Sequence, residues 1–435
     1  MAATVLILGA SGFIGSHLAA AFARSGWTVR AGARRPEAAR RLAPSLDWVR
    51  AEFAELTTAE RWAELIAGVD LVVNCVGVLQ DGPGDSHVAA HVDGPRALIA
   101  ACERAGVARL IHLSAAGADA ASGTAYGRSK AAAETMVEAS ALDWVILRPS
   151  LVLARASYGG TAMLRGLAAF PAFIPVLGGD QRFRPVAMED LCAVVLALSQ
   201  GGTASKRVLE VGGPDLVTQA QLLAGLRGWL GLKPAPVVRI AAWLAWPAIK
   251  VGDLIGWLGW PSSFRTTSVK QMAYGAAGGA PDALTEATGV RPRGFAEILS
   301  AALATTADRW QARLYFVRPL SIVLLGLFWT ITGVVSLGPG FDAAQQHLID
   351  AGFAAGPAWH GVFWGGWFDI VMGLALWVRP WTRNVAITMV LATLGYLAGA
   401  TAWAPQLWLD PLGPWVKVLP MMALCLFVAA TDDRR

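Results

Sequence analysis

TVLILGASGFIGSHLA, residues 4–19, decides the fold. Thr4 to Leu8 form an unbroken apolar run, the mark of a strand buried on both faces. Gly9, Gly12 and Gly15 then follow at G-x-x-G-x-x-G spacing, at the point where a helix opens. Gly9 permits a sharp turn after the strand. Gly12 leaves room for backbone to approach a pyrophosphate with no Cβ in the way. Gly15 lets the helix lie close to the strand. The helix start, with Ser11, Phe13 and Ile14, presents unpaired N–H groups and a partial positive charge to phosphate. A strand–turn–helix of this kind, at the head of a βαβ unit, reads as a dinucleotide cradle.

Working outward, further strands are expected at 28–33, 47–51, 70–77, 109–114 and 143–149, separated by Ala-rich stretches of helical period. Strands alternating with helices imply a parallel sheet with right-handed crossovers. The second strand ends in Ala33-Arg34-Arg35, where a site selective for NAD carries an acidic residue for the ribose hydroxyl. Arg34 and Arg35 suit a 2′-phosphate instead, so NADP(H) is expected over NAD(H). Glu52 and Phe53 follow the third strand and are placed to flank the adenine. Val76 and Gly77 end the fourth strand and should floor the ribose and nicotinamide.

Tyr126-Gly127-Arg128-Ser129-Lys130 puts a phenol and an ammonium on one helix face. A neighbouring ammonium is expected to lower the phenol's pKa into a useful range, and Ser114, ending the fifth strand, can hold a substrate carbonyl. Residues 1–230 resemble the short-chain dehydrogenase/reductase superfamily in its extended and atypical branches. GASGFIGSHLA (9–19), VNCVG (73–77), HLSAAGAD (112–119), YGRSKAAAE (126–134), LRPSLV (147–152) and RPVAMEDLC (184–192) carry the likeness. Through HLSAAGAD (112–119) and RSKAAAE (128–134) the chain also resembles the group of the NADPH-carrying accessory subunit of respiratory complex I. The resemblance implies catalytic roles for Ser114, Tyr126 and Lys130. It places Pro149, Ser150 and Leu151 near the nicotinamide carboxamide and gives Asp190 a structural helix start. His91 stands where relatives often have Asn and is read as a packed histidine.

The 435 residues include 55% hydrophobic and only 15% charged positions, and mean hydropathy is +0.48. Soluble domains carry about 25% charged residues. Ten of the 19 Trp lie at position 310 or beyond, as at a membrane interface. Four apolar segments, 319–338, 361–378, 384–404 and 415–431, are each about long enough for a hydrocarbon core of roughly 30 Å. Lys and Arg are absent from 319–378 and from 384–416. They gather at Arg309, Arg313 and Arg318, at Arg379 and Arg383, and at Arg434 and Arg435. That pattern predicts a multi-pass protein of the cytoplasmic membrane with both termini and the first domain inside. The N-terminus reads as a strand and not as a cleavable signal. The tail resembles the DoxX-like membrane domain, which implies a lipid-soluble, quinone-like substrate. Asp369, inside the second span, is either a functional carboxyl or the partner of an interhelical hydrogen bond, to Tyr396 for example.

The expected class is therefore α/β: a Rossmann-type doubly wound parallel sheet with a small α+β substrate portion over 1–235, then a connecting segment at 236–314. A four-helix transmembrane bundle follows over 315–435. Within the connection, residues 238–260 hold Trp243, Trp246, Trp257 and Trp260 and are expected either to lie along the bilayer, the preferred reading, or to form buried helices of the soluble domain. The four cysteines show no metal spacing and no metal is expected. Net charge is +5, without the Lys/Arg runs of a nucleic-acid binder. The function expected is an NAD(P)(H)-dependent oxidoreductase at the cytoplasmic face, acting on a lipophilic substrate. Two alternatives are an NADPH-binding redox sensor or assembly factor among respiratory-chain proteins, and a nucleotide-sugar epimerase or dehydratase.

Overall fold

A computed structural model describes residues 2–82, 86–178, 181–201, 204–257, 260, 265–275, 277–409 and 415–432. Arg434 and Arg435 lie outside them. The chain divides into two compact units. One comprises Met1–Leu254 with Ser262–Ala312; the other comprises Ile255–Pro261 with Arg313–Arg435.

In the first unit, β1 (Thr4–Leu8), β2 (Thr28–Ala33), β3 (Asp47–Arg50), β4 (Leu71–Asn74), β5 (Arg109–Leu113) and β6 (Trp144–Pro149) join the strand Arg207–Val211. The order across this sheet is Arg207–Val211, β6, β5, β4, β1, β2, β3. Every pairing is parallel, with Val5 opposite both Val29 and Leu71. The chain winds outward from β1 to β3, then returns to start β4 on the other side of β1. That reversal leaves a crevice at the carboxyl ends of β1 and β4, where doubly wound sheets bind ligands.

Strand side chains alternate between two cores. Val5 and Ile7 pack with Leu18 and Phe22 of helix α1 (Phe13–Arg24) and with Leu191 and Val195 of the helix Met188–Ser199. Leu6 and Leu8 face the other way, against Trp62, Leu98 and Val137. Those three come from α3 (Ala59–Ile66), α4 (Gly94–Ala105) and α5 (Ala125–Glu138); α2 (Pro36–Leu42) precedes β3. Each fully buried aliphatic contributes about 1.5–3 kcal/mol, so the strand run that reads as apolar in sequence also fixes the position of the glycine turn.

Residues 236–314 do not form one separate connection. Val237–Ile240 pairs parallel with Ile174–Leu177. Arg293 donates through Nε to Asp190 Oδ1 at 2.9 Å, and Phe295 packs so tightly on Gly225 that a Cβ there would sit 2.6 Å from its ring. These long-range contacts draw 262–312 into the first unit, and sequence periodicity does not report them. Asp190 thus ties a helix start to a distant turn, the structural part expected of it.

The second unit is helical: Thr306–Leu337 from residue 313 onward, then Phe341–Asp350, Ala355–Leu376, Thr382–Trp403 and Val418–Thr431. Thr306–Leu337 and Thr382–Trp403 are long and apolar enough to cross a membrane. Their outward residues, among them Leu320, Val323, Leu327, Ile331 and Leu391, are exposed and apolar, while Leu325, Trp329, Met389 and Cys425 are buried. A protein apolar on its outside has lipid as its solvent. Small residues set the helix packing: a Cβ at Gly333 would lie 2.4 Å from Gly366 O, and one at Gly373 would lie 2.6 Å from Gly326 O. Tyr396 Oη donates to Asp369 Oδ1 at 3.3 Å, the interhelical bond foreseen as one of that carboxyl's two readings.

Candidate functional site

The site is built at the carboxyl edge of the sheet. Gly9 has φ +75°, a region that a Cβ would strain, and it packs against the Cys75–Val76 backbone. A Cβ on Gly15 would sit 2.2 Å from Gly9 O, so α1 approaches the turn as only glycine permits. No side chain caps the start of α1 at Gly12, which leaves its first-turn N–H groups directed outward.

These elements frame a cavity of about 440 Å³ lined by Gly9, Ser11, Gly12, Arg34, Glu52, Phe53, Val76 and Gly77, all expected on sequence grounds. Cys75, Val78, Ala89, Ala90 and Tyr158 also line it. Phe13 does not line the wall; its ring stacks on Tyr158, centroids 6.1 Å apart. Ile14, Gly15 and Arg35 lie outside the lining too. Gly15 serves the close packing of α1, and Arg35 precedes α2 as its N-cap residue. Pro149, Ser150 and Leu151 are likewise absent from it, and their backbone is held in sheet pairing through Ala116 N–H to Pro149 O and Ser150 N–H to Val211 O. The donors, glycines and uncapped helix start fit a dinucleotide, with Arg34 after β2 and Gly77 after β4 both in the lining.

Ser114, Tyr126 and Lys130 lie beyond the cavity's wall and are connected to it through Lys130. Lys130 Nζ is buried and donates to Val76 O (3.2 Å), in the wall, and to Leu113 O (3.0 Å), one residue before Ser114. It stands 3.4 Å from where a Cβ on Gly77 would be. Burial lowers the Lys130 ammonium to about 8. Ser114 Oγ is buried without a hydrogen-bond partner, so it can receive a substrate oxygen. Tyr126 departs from expectation: burial pushes its phenol up to about 12, and the Lys130 ammonium is committed to two carbonyls. Without ligand, then, the phenol is a proton donor.

Three histidines surround this set. His91, on a widened helical turn (Ala89–Asp93), accepts from Val78 N–H through Nε2 at 3.0 Å. Its Nδ1 must then carry the proton, donated to Ser129 Oγ at 2.8 Å. Both nitrogens are occupied and burial holds the ring down at about 2, so His91 is a neutral packing residue. Asn74 Oδ1 is engaged by Val76 N–H, so Asn74 Nδ2 donates to His112 Nδ1 at 3.2 Å, and burial keeps His112 at about 3. His87 was not singled out in sequence. Its ring lies 6.4 Å from that of Tyr126, and its Nδ1 is 2.8 Å from Asp81 Oδ2, ion-pair range without the alignment of a hydrogen bond. Only the i,i+4 step to His91 could have flagged it, and Tyr158 left no signal at all. Among the described residues no His, Cys, Asp and Glu group could hold a metal.

Two known families match separate parts of the chain. Residues 9–168 match the NAD(P)H-binding family, and residues 326–426 match the DoxX-like family. A ceramide reductase of Caulobacter vibrioides is 29% identical over 234 residues, covering 53% of this chain and 71% of the relative. Subunit 9 of the NADH dehydrogenase [ubiquinone] 1 alpha subcomplex of Arabidopsis thaliana is 29% identical over 228 residues. That match covers 50% of this chain and 55% of the relative's length. The structure of MoeE5 with UDP-glucose and NAD superimposes with a TM-score of 0.51 at 20% identity, covering 72% of this chain and 99% of MoeE5. At that identity it shows the shared fold.

Proposed function

Because the chain belongs to the NAD(P)H-binding short-chain dehydrogenase/reductase group and carries a DoxX-like domain toward its C-terminal end, we propose that it is a membrane-anchored oxidoreductase. It interconverts a carbonyl and an alcohol on a lipid-soluble or quinone-like substrate at the cytoplasmic face, with NADP(H) preferred over NAD(H). One observation carries this reading: Lys130 ties the end of the Ser114 strand to the cavity wall, one helical turn from Tyr126. The ceramide reductase likeness supports a lipid substrate. Arg34 in the cavity lining supports the 2′-phosphate. The run of arginines at one end of the apolar helices supports an inside orientation.

In this reading Gly9, Ser11, Gly12, Arg34, Glu52, Phe53, Val76 and Gly77 hold the nucleotide, which supplies or accepts the hydride when bound. Ser114 Oγ donates a hydrogen bond to the substrate oxygen. Tyr126 Oη passes its proton to that oxygen as the carbon receives the hydride, and it takes the proton back in the oxidative direction. Lys130 keeps its positive charge beside the resulting phenolate and lowers its energy.

The test is NADPH oxidation by the full chain in lipid nanodiscs, with a long-chain 3-keto lipid as substrate. Tyr126→Phe should cost about 10²–10⁴ in turnover while NADPH still binds, the range for one proton-transfer group. Wild-type protein that binds NADPH but oxidises none across a range of keto lipids and quinones contradicts the reading. It would favour a nucleotide-binding structural role in a respiratory assembly instead.

A further inference from the structure

The helix Ala242–Trp257 carries an apolar surface that the first unit leaves uncovered. Trp243 is 73% exposed, Leu254 67%, and Leu244, Trp246 and Val251 are each about half exposed. Ala245, Ile249 and Gly252, at helical spacing, are buried. Monomeric soluble proteins seldom expose so many contiguous large apolar side chains. Sixteen residues give about 24 Å of helix, too short for a hydrocarbon core, and Pro247, Lys250 and Asp253 interrupt its apolarity. Such a helix lies along a surface and does not cross it.

Its chemistry selects lipid over protein. Lys250 Nζ sits 4.7 Å above the Trp246 ring, an arrangement that buries an indole while the ammonium reaches phosphate. Arg239, just before the helix, is exposed. The helix's one acid, Asp253, is held by internal contacts: its Oδ1 accepts Thr266 N–H (3.1 Å) and its Oδ2 accepts Thr266 Oγ1 (2.6 Å), with Arg265 3.7 Å and the half-exposed Lys250 3.6 Å away, so Arg239 is the cation of this face with no acid of the helix beside it. What faces outward is therefore apolar with a cationic rim, complementary to anionic headgroups above acyl chains. Two later helices of the same chain are long and apolar enough to cross a membrane, so a bilayer is a partner this chain can meet.

Asp253 also links this surface to chemistry. The helix that it caps, Thr266–Gly275, reaches both sides of the candidate site. Gln80, three residues past Gly77, donates to Ser268 Oγ at 2.8 Å; Thr124, the N-cap of the helix bearing Tyr126, donates to Gln271 Oε1 at 2.6 Å.

We propose that Ala242–Trp257 is a bilayer-docking surface, seated in the headgroup layer of an anionic membrane, and that Thr266–Gly275 joins it to the rim of the Tyr126 site. The docking depends on the chain's membrane attachment and not on the proposed turnover, so the two fail separately. The test uses the full chain in phosphatidylcholine/phosphatidylglycerol nanodiscs. Trp243→Cys, Trp246→Cys and Leu254→Cys are each labelled with an environment-sensitive fluorophore, with Leu42→Cys (73% exposed) as comparator and unmutated protein as blank for the native thiols. The three docking positions should emit at shorter wavelength and be quenched by doxyl-labelled lipid several-fold more than position 42. Quenching no greater than at position 42 overturns the proposal. A blue shift without lipid quenching also overturns it, because then a protein, or a second copy of the chain, covers the helix.

Discussion

Gly15→Ala is the smallest change that attacks the nucleotide cradle. The added methyl carbon would sit 2.2 Å from Gly9 O, 2.8 Å from Gly9 C and 3.0 Å from Ala10 Cα. Contact between carbon and oxygen needs more than 3 Å, so α1 must retreat from the turn by about 1 Å, and the obstacle is backbone, which cannot rotate aside. Overpacking of this kind costs roughly 1–3 kcal/mol of stability. The retreat also spreads the N–H groups that would hold the pyrophosphate, and a hundredfold loss of affinity is expected, about 2.7 kcal/mol. Thermal unfolding in detergent, with and without NADPH, reads both effects. At a ligand concentration of 100 times the wild-type Kd, binding stabilises by about 2.7 kcal/mol, and a hundredfold weaker variant keeps only about 0.4 kcal/mol. The variant should therefore melt lower without nucleotide and scarcely respond to it. An unchanged melting temperature with the full NADPH shift would refute the reasoning, because it would mean that the close approach of Gly15 to Gly9 does not shape the site.

Acid should destabilise the first unit through its neutral histidines. Burial holds His91 at about 2 and His112 at about 3, so below 6.5 the unfolded chain binds protons that the native fold refuses. Stability is present above 6.5 and is lost as pH falls toward 3, at about 1.4 kcal/mol per unit for each histidine. Urea midpoints between pH 7.5 and 5 should show this, with a shallower slope in His91→Asn; a flat profile would mean that the rings protonate in place. Arg34→Ser should weaken NADPH about tenfold while NADH binding holds, and equal losses for both would remove Arg34 from 2′-phosphate recognition. Gly333→Leu, whose Cβ would start 2.4 Å from Gly366 O, should separate two helices of the second unit and lower its melting temperature in detergent. Wild-type melting in that variant would show that this glycine contact does not set the packing.

Much of this was legible in sequence because it is local. The run Thr4–Leu8, the glycine turn and the single helical turn between Tyr126 and Lys130 depend on neighbours within a few residues. So do the apolar segments that became Thr382–Trp403 and the larger part of Thr306–Leu337. What stayed hidden is set by contacts between distant segments. Lys130 reads as the phenol's companion, yet its ammonium is spent on the carbonyls of Val76 and Leu113, from two different strands' ends. The Tyr126 phenol, raised by its own burial, shifts opposite to the simple i,i+4 argument. Phe13 sits inside the fingerprint but stacks on Tyr158, more than a hundred residues on. His87 comes to Tyr126 from the helical turn before Ala89–Asp93, and only its i,i+4 spacing to His91 hints at it in sequence. The segment after 236 read as a connection because its anchors, Asp190 and Gly225, lie far upstream.

Hydride chemistry at Tyr126, on a lipid substrate, from a nucleotide held by the Gly9–Gly15 turn, can be followed atom by atom. Deuterium transfer tests it most directly: the full chain in nanodiscs is given NADPH deuterated at the nicotinamide C4 position together with a long-chain 3-keto lipid, and the lipid alcohol is weighed by mass spectrometry. One deuterium is expected on the carbinol carbon when one of the two C4 faces is labelled and none when the other is, with product reduced at least about a hundredfold in Tyr126→Phe. Alcohol formed without deuterium from either face, or formed equally by Tyr126→Phe, would contradict it.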